Sequence, residues 1–296
     1  MPDQLTALTQ INLDDLVSSF GWQKHPLLAT TLRRFFAAPA RKFAGQMVEY
    51  DNLVGEVGLA EASRRTLHTR YVSDVRVFGR MHIPASGPLL ILSNHPGMAD
   101  TICLFTAINR PDLNIIALHR PFLVSLVNVT RNLFYVSDNA TERMHAIRQV
   151  SVHLREGHAA LTFPAGHIEP DPDSYEGALD SLNDWTDSAG VFLRFARGTR
   201  IVPALVSGVV WEKTAHHILL RIKKTKEEKE KLAAALQLLT IVTRNVRPTR
   251  VKVQFAEPIT IDEIGSTGAQ AIHQVVLSRM RRLIEYPYEG EGESVL

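Results

Sequence analysis

Apolar positions in the first part of this chain recur at intervals of three and four residues, which predicts a helical N-terminal region over 1–73. One helix closes at Gly21, a residue type that commonly ends helices. A second ends at Pro39, because a proline within a helix removes a hydrogen bond. A third begins near Phe43. We expect this region to pack on a larger main domain.

From residue 74 onward, short apolar runs alternate with amphipathic segments. The predicted strands are 75–79, 89–93, 114–118, 133–136, 160–163, 201–206, 218–222 and 250–255, and the predicted helices are 99–109, 122–129, 140–156, 185–197, 226–245 and 268–284. This order predicts an α/β fold with a mixed, largely parallel sheet flanked by helices. The last residues, 286–296, are rich in glutamate and glycine, so we expect a disordered acidic tail.

Composition excludes several classes of protein. The 296 residues are 45% hydrophobic with a net charge of +2, which allows a large core and indicates no nucleic-acid partner. No apolar run reaches the length of about 18 residues that a transmembrane helix needs, and the N-terminus lacks the pattern of a secretory signal. The single cysteine, Cys103, excludes an intramolecular disulfide and fits a reducing compartment. We therefore expect a cytoplasmic protein.

The strand predicted at 89–93 runs into a turn that carries a histidine. Asn94 and His95 come first, Gly97 follows in the turn, and Asp100 lies five positions after the histidine. An imidazole at the open end of a strand with a carboxylate beside it can act as a general base with an orienting partner. In the alternative interpretation His95 is a buried structural residue, and Asp100 caps the following helix.

This Asn-His-x4-Asp pattern at the end of a strand resembles the signature of the glycerolipid acyltransferase family. Three later segments are similar to the family's other sequence blocks and occur in the same order: NLFYVSD at 132–138, FPAGH at 163–167 and IVPAL at 201–205. The resemblance implies an acyltransferase domain, which we place at 74–285. Independently of the resemblance, sites in an α/β sheet lie beyond the carboxyl ends of the strands.

The resemblance implies an enzyme that moves a fatty acyl group from an acyl thioester, either acyl-CoA or acyl-carrier protein, to a hydroxyl of a glycerolipid or lyso-lipid. His95 would be the general base, with Asp100 on its other ring nitrogen. We expect no cofactor and no metal. Main-chain N–H groups near Gly97 or Gly166 would stabilise the oxyanion. The substrate-binding residues that the matched motifs imply are Asn94, Gly97, Phe163, Pro164 and Gly166.

Two arginines of the family pattern are missing from this chain. Asp138 stands where the second block usually has an arginine, and in the third block Ala165 replaces a glutamate and Ile168 replaces an arginine. In the family those arginines are held to bind the acceptor's phosphate, which suits a guanidinium because it pairs two oxygens at once. The acceptor is therefore expected to be atypical, or other cations bind it. The candidate cations are His119, Arg120, Arg131 and His167.

Two further stretches bear on contact with lipid. Residues 32–43 mix aromatic and basic side chains as an interfacial helix does, although a helix packed on the core has the same pattern. We expect peripheral membrane contact. An apolar stripe fits either a groove for the acyl chain or ordinary core packing, and core packing is the favoured interpretation. Its members are Phe122, Leu123, Leu126, Val129 and Phe134.

Other functions fit parts of the chain. A non-catalytic lipid- or acyl-carrier-binding protein on this fold would explain the altered third block, although the intact His95–Asp100 pair argues against it. A thioesterase would use the same residues with water as the acceptor. A metal-dependent hydrolase would use an acidic cluster that lacks a second histidine at ligand spacing. That cluster consists of His167, Glu169, Asp171 and Asp173.

Overall fold

A computed structural model describes residues 3–97, 99–137, 139–265 and 268–296. The helices in these ranges are α1 Gln4–Phe20, α2 Pro26–Val57, α3 Leu59–Thr69, α4 Asp100–Ile108, α5 Pro121–Val124, α6 Val127–Thr130, α7 Ala140–Arg155, α8 Ser188–Phe195, α9 Glu212–Ala215, α10 Lys226–Arg244, α11 Ile261–Ile264 and α12 Ala269–Glu285. The strands are β1 Val72–Phe78, β2 Leu89–Ser93, β3 Leu113–Leu118, β4 Leu133–Val136, β5 Ala159–Thr162, β6 Arg200–Ser207, β7 Thr249–Phe255 and β8 Glu293–Ser294. Turns of 3-10 helix lie at Arg80–His82, Asp180–Asp184 and Ile218–Ile222.

The strands of the described chain form one sheet in the order β4-β3-β5-β2-β6-β7-β1-β8. The strands from β4 to β6 run parallel to one another, β7 is antiparallel to β6, and β1 is parallel to β7. This confirms the predicted α/β fold with a largely parallel sheet and flanking helices. The carboxyl ends of β2, β3, β5 and β6 consequently meet at one edge of the sheet, which is where parallel sheets place their sites.

Strand β2 lies in the middle of this sheet, and all five of its residues are buried. Leu89 and Ile91 belong to the core on one face, together with residues of α3 and α4. Leu90 and Leu92 belong to the core on the other face, together with residues of α8 and α12. Because both faces are covered, the strand reads as an unbroken apolar run in the sequence. The rigid strand therefore fixes the position of the turn that follows it.

The N-terminal region is helical, as predicted, and Gly21 ends α1 with a positive φ of 74° and an N–H bond to the Ser18 carbonyl. The predicted break at Pro39 is wrong, because α2 continues through it to Val57. The proline leaves the carbonyl of Phe35 without its helical donor. Phe35 is 76% exposed, so the missing hydrogen bond lies on the side of α2 that faces solvent. The domain boundary at residue 74 stays a prediction.

The strand predicted at 218–222 is wrong. Ile218–Ile222 forms a 3-10 turn in which Leu220 packs against α10, while Ile218 and Ile222 are exposed. Four of the five residues are apolar, so their spacing does not distinguish a strand from a helical turn. The contact with α10 decides the conformation.

The chain end also differs from its prediction as a disordered tail. Glu293–Ser294 pairs antiparallel with β1, at Val77 and Arg76. Val295 and Leu296 pack against the core. The edge of β1 offers unpaired main-chain groups, and the last two residues are apolar. These contacts outweigh the glutamate- and glycine-rich composition on which the prediction rested.

Candidate active site

His95 and Asp100 are in direct contact at the carboxyl edge of the sheet. His95 follows the end of β2 by two residues, and Asp100 is the first residue of α4. The Nδ1 atom of His95 lies 2.6 Å from Oδ2 of Asp100. The Asp100 side chain is completely buried, whereas 27% of the His95 side chain is exposed. Nε2 of His95 makes no hydrogen bond within the described ranges, so it is available to a substrate.

The two carboxylate oxygens of Asp100 have different partners. Oδ2 accepts the main-chain N–H of Gly97 at 3.0 Å in addition to its contact with His95. Oδ1 accepts two hydrogen bonds from Thr101, one from its main-chain N–H and one from its hydroxyl at 2.9 Å. The N-cap of α4 is Ala99 and not Asp100, contrary to the structural alternative; Asp100 bonds to the first turn of α4 and orients the imidazole. The Gly97 N–H is occupied by this carboxylate and is not free for an oxyanion.

The environment of His95 favours its protonated form. Burial, the largest single influence, lowers the pKa of His95, but the charge and hydrogen bond of Asp100 and the charge of Glu169 together outweigh it. The pKa is raised above its ordinary value of about 6.5. Because a general base must be neutral, this site is expected to gain activity as the pH rises through the pKa of His95.

The turn after β5 lies against the His95 ring. Phe163 stacks on the imidazole with 4.5 Å between ring centroids. The carbonyl of Pro164 accepts a hydrogen bond from the N–H of Thr186 at 3.2 Å, which anchors the turn to a later segment of the chain. Gly166 has a φ of 71°, and its N–H donates to the Phe163 carbonyl at 3.0 Å. The sheet thus brings the predicted third block to His95, but the Gly166 N–H is already bonded.

Asn94, predicted to bind substrate, is instead tied to β6. Its Nδ2 donates to the Val206 carbonyl at 2.9 Å, and its Oδ1 accepts the Val206 N–H at 2.8 Å. Its side chain is buried. Both ends of the amide are occupied by main chain, so the contacts assign Asn94 to holding the strands together.

Arg131 and His95 lie at opposite ends of the parallel strands. The residues at one level across four neighbouring strands are Ile91, Leu161, Ile115 and Leu133. His95 lies four residues beyond this level and Arg131 two residues before it. At about 3.3 Å per residue, roughly 20 Å along the strand direction separates them. Arg131 is therefore at the opposite edge of the sheet.

The other three candidate cations lie at the same edge as His95. His119 and Arg120 follow β3 directly. His119 is at the same level along the strands as His95, and their main chains are two strand spacings apart, roughly 10 Å across the sheet. His119 packs its ring edge-on against Tyr135. His167 is exposed, with Nε2 at 3.4 Å from Oδ2 of Asp184. Asp138, which replaces a family arginine, lies outside the described residues.

Glu169 has a role at this site that the sequence interpretation missed. Its Oε2 accepts the His95 N–H at 3.0 Å, and its own N–H donates to the His95 carbonyl at 2.8 Å. Asp171 similarly accepts the N–H groups of Gly208 and Val210 after β6. The signal in the sequence was two acids within a proline-rich stretch directly after the third block. The sequence interpretation places these two acids only in a candidate metal site.

The acidic cluster is occupied by protein donors. Burial raises the pKa of both Glu169 and Asp171, and hydrogen bonds from Trp185 and from the Val210 main chain oppose that shift. Within the described ranges, no group of three or more His, Cys, Asp or Glu side chains has an arrangement that could hold a metal ion.

The predicted apolar stripe does not form one surface. Phe122, Leu126 and Val129 pack into the core on one face of the sheet, and Phe134 packs into the core on the other face. The sheet itself divides the stripe. These contacts are core packing, and the stripe therefore supplies no single groove for an acyl chain.

Comparisons with known proteins point to acyltransferases. Residues 74–207, a little under half of the chain, match the family described as Acyltransferase. A search of curated proteins finds no match. Among solved structures, the chain is similar to the crystal structure of the 1-acyl-sn-glycerophosphate (LPA) acyltransferase, PlsC, from Thermotoga maritima. The identity is 18% and the TM-score 0.45, over 95% of this chain and 98% of that one.

Proposed function

Since residues 74–207 match the family described as Acyltransferase, we propose that this protein transfers a fatty acyl group from an acyl thioester to a hydroxyl of a glycerolipid or lyso-lipid. The donor is acyl-CoA or an acyl-carrier protein. The observation that carries the proposal is the 2.6 Å contact between His95 Nδ1 and Asp100, which leaves Nε2 free at a partly exposed ring. That is the arrangement of a general base with its orienting carboxylate.

In this reaction the acceptor hydroxyl gives its proton to Nε2 of His95 while its oxygen attacks the thioester carbonyl. Asp100 holds the proton on Nδ1 and stabilises the imidazolium that forms. The tetrahedral intermediate then collapses, the carbon–sulfur bond breaks, and the imidazolium returns the proton to the departing thiolate. The protein supplies proton transfer and orientation, and no residue forms a covalent bond to the acyl group.

The tetrahedral oxyanion requires hydrogen-bond donors that are in place before the reaction. The N–H groups of Gly97 and Gly166 are both bonded within the protein. In the part of the chain that the structure describes, the main-chain N–H groups of Ala165 and His167 make no such bonds. They belong to the same turn whose Phe163 stacks on His95, so we assign the oxyanion to this pair.

Only the cations at the same end of the strands as His95 are available to an acidic acceptor. His119 and Arg120 share the carboxyl edge with His95, whereas Arg131 does not. His167 lies within ion-pair distance of Asp184, which reduces its attraction for an anion; Arg120 influences Asp15, but the two form no ion pair within the described ranges. We infer that Arg120, with His119, receives the acidic headgroup of the acceptor. The missing family arginines make an atypical acceptor part of this proposal.

A lipid acceptor requires contact with a bilayer. Within the described ranges, no helix combines the length and apolar composition of a membrane span. A surface that we term the apolar corner exposes six large apolar side chains beside basic residues. Its members are Leu27, Leu28, Phe35, Ile218, Leu219 and Ile222, with Lys24, Arg34, Arg221 and Lys224 at its rim.

The two halves of the apolar corner are joined by Phe20, which packs against Phe36 of α2 and against the cluster that contains Leu220 of the 3-10 turn. Exposed aliphatic and aromatic side chains next to lysine and arginine are the features of an interfacial membrane contact. We propose that the protein binds peripherally to anionic lipid surfaces through this corner.

The test is acyl transfer by the wild-type protein and by His95→Ala, with lipid products identified by mass spectrometry over a panel of acyl donors and lyso-lipid acceptors. We expect the variant to lose about 10²–10⁴-fold in kcat, the usual contribution of a general base. Circular dichroism of both proteins controls for folding. Unchanged transfer by a folded His95→Ala protein would remove the proposed base, and free fatty acid as the main product would indicate a thioesterase instead.

A further inference from the structure

Glu169 fixes the main chain of His95 on both of its polar groups. The carboxylate accepts the His95 N–H at 3.0 Å, and the Glu169 N–H donates to the His95 carbonyl at 2.8 Å. Glu169 is only 1% exposed. Asp100 contacts the imidazole but not these main-chain groups. The turn that carries His95 therefore has two separate restraints, one on the ring and one on the backbone.

The second carboxylate oxygen of Glu169 also accepts hydrogen bonds. Oε1 accepts Nε1–H of Trp185 at 2.8 Å and the hydroxyl of Ser181 at 3.1 Å. Donors therefore meet both oxygens of the carboxylate. A glutamine cannot reproduce this, because its NH2 group would face either the His95 N–H or the Trp185 N–H. The site requires a group that accepts hydrogen bonds at both ends.

We propose that Glu169 is the positioning residue that holds His95 where it can take the proton of the acceptor hydroxyl. This rests on the proposed function, in which His95 is the base. A displacement of about 1 Å in a reacting group costs about 10²-fold in rate, so the backbone restraint has a direct effect on turnover. Glu169 also joins two parts of the site, since it follows the turn whose Phe163 stacks on the same imidazole.

Charge gives this role a signature that a purely structural residue lacks. The charged groups that influence His95 are Asp100 at the start of α4 and Glu169 after β5, while Phe163, which stacks on the ring, is uncharged. Burial lowers the pKa of His95, and the two carboxylates raise it. Removing the charge of Glu169 is therefore expected to lower the pKa of His95 and to shift its titration to lower pH.

The chain offers a matched control two residues away. Asp171 is equally buried and accepts the N–H groups of Gly208 at 2.9 Å and Val210 at 2.8 Å, but it makes no hydrogen bond to His95. Asp171→Asn removes a buried carboxylate from the same segment without touching the His95 turn. A general loosening of this segment would appear in both variants.

The experiment compares the wild-type protein, Glu169→Gln and Asp171→Asn. The readouts are kcat and KM for acyl transfer, together with NMR titration of the His95 imidazole in isotopically labelled protein, assigned with His95→Ala. For Glu169→Gln we expect kcat to fall about tenfold or more, KM to change less than about twofold, and the His95 titration to move to lower pH. For Asp171→Asn we expect the His95 titration to stay in place.

Wild-type kcat with an unchanged His95 titration in Glu169→Gln would overturn the proposal, and so would an equal shift in Asp171→Asn. If Glu169→Gln does not fold, Glu169→Gln combined with Trp185→Phe replaces it, since this removes the donor that the glutamine NH2 would oppose. The same changes in kcat and in the His95 titration then test the proposal. If the wild-type protein transfers no acyl group but the titration shifts as expected, the proposed function fails while the contact between Glu169 and His95 stands.

Discussion

The side chain of Asn94 completes the hydrogen bonding of Val206 on the neighbouring strand. Its amide bonds to both the N–H and the carbonyl of Val206, at 2.8 and 2.9 Å. Asn94 comes after the last residue of β2, so these bonds extend the β2–β6 pairing beyond the strand. The turn that bears His95 starts from this fixed point, so the asparagine influences the position of His95.

Asn94→Ala is therefore expected to destabilise the protein. It leaves two buried main-chain groups of Val206 without partners, at a cost of about 1–3 kcal/mol each. Denaturant unfolding would measure the free-energy change. Asn183→Ala, at an exposed asparagine, is the control and is expected to stay within about 0.5 kcal/mol of wild type. Equal stability of the two variants would contradict the structural role.

The pH dependence of activity follows from the raised pKa of His95. The neutral imidazole is the active form, so kcat/KM should fall as the pH drops through that pKa, above its ordinary value of about 6.5. Asp100→Asn removes the charge that raises this pKa. We expect the acid limb of the profile to move to lower pH and kcat to fall by about 10²–10⁴.

A second histidine–carboxylate pair serves as the control for this pH profile. Asp184 lies 3.4 Å from His167, but both side chains are largely exposed. We expect Asp184→Asn to leave the acid limb where it is in the wild-type protein. A limb that moves in Asp184→Asn, or that stays fixed in Asp100→Asn, would argue against His95 as the titrating group.

Recognition of an acidic acceptor is expected to depend on Arg120 and not on Arg131. Arg120→Ala removes a cation from the His95 edge of the sheet and should raise KM for an anionic lyso-lipid about tenfold, the usual worth of a charge-assisted hydrogen bond. Arg131→Ala alters the opposite edge and should change KM less than about twofold. Steady-state kinetics with anionic and uncharged acceptors would measure both, and equal effects of the two variants would contradict this assignment.

Membrane binding is expected to require the apolar corner. Phe35→Ser combined with Ile218→Ser should lower partitioning to anionic vesicles about tenfold or more, because burying one such side chain contributes about 1.5–3 kcal/mol. Met81→Ser is the control, since Met81 is 83% exposed but lies outside the corner. Vesicle flotation measures the bound fraction. If the control loses as much binding as the double variant, the corner is not the docking surface.

The sequence alone determined the fold class and the contact between His95 and Asp100. Buried parallel strands are unbroken apolar runs and amphipathic helices have a period of 3.6 residues, so both are visible locally. His95 and Asp100 are five residues apart on one strand–turn–helix unit, and local geometry is enough to bring them together. The resemblance to the acyltransferase family depends on short local blocks of the same kind.

The tertiary structure decided which distant residues join that pair. Arg120 and Arg131 are both basic residues beside a strand, but one follows β3 and the other precedes β4, and the parallel register sends them to opposite edges of the sheet. Glu169 lies 74 residues from His95, and its hydrogen bond to the His95 main chain exists only because β5 and β2 are neighbours. Strand order and register depend on contacts between residues far apart in the chain, and no local pattern of apolar and polar residues encodes them.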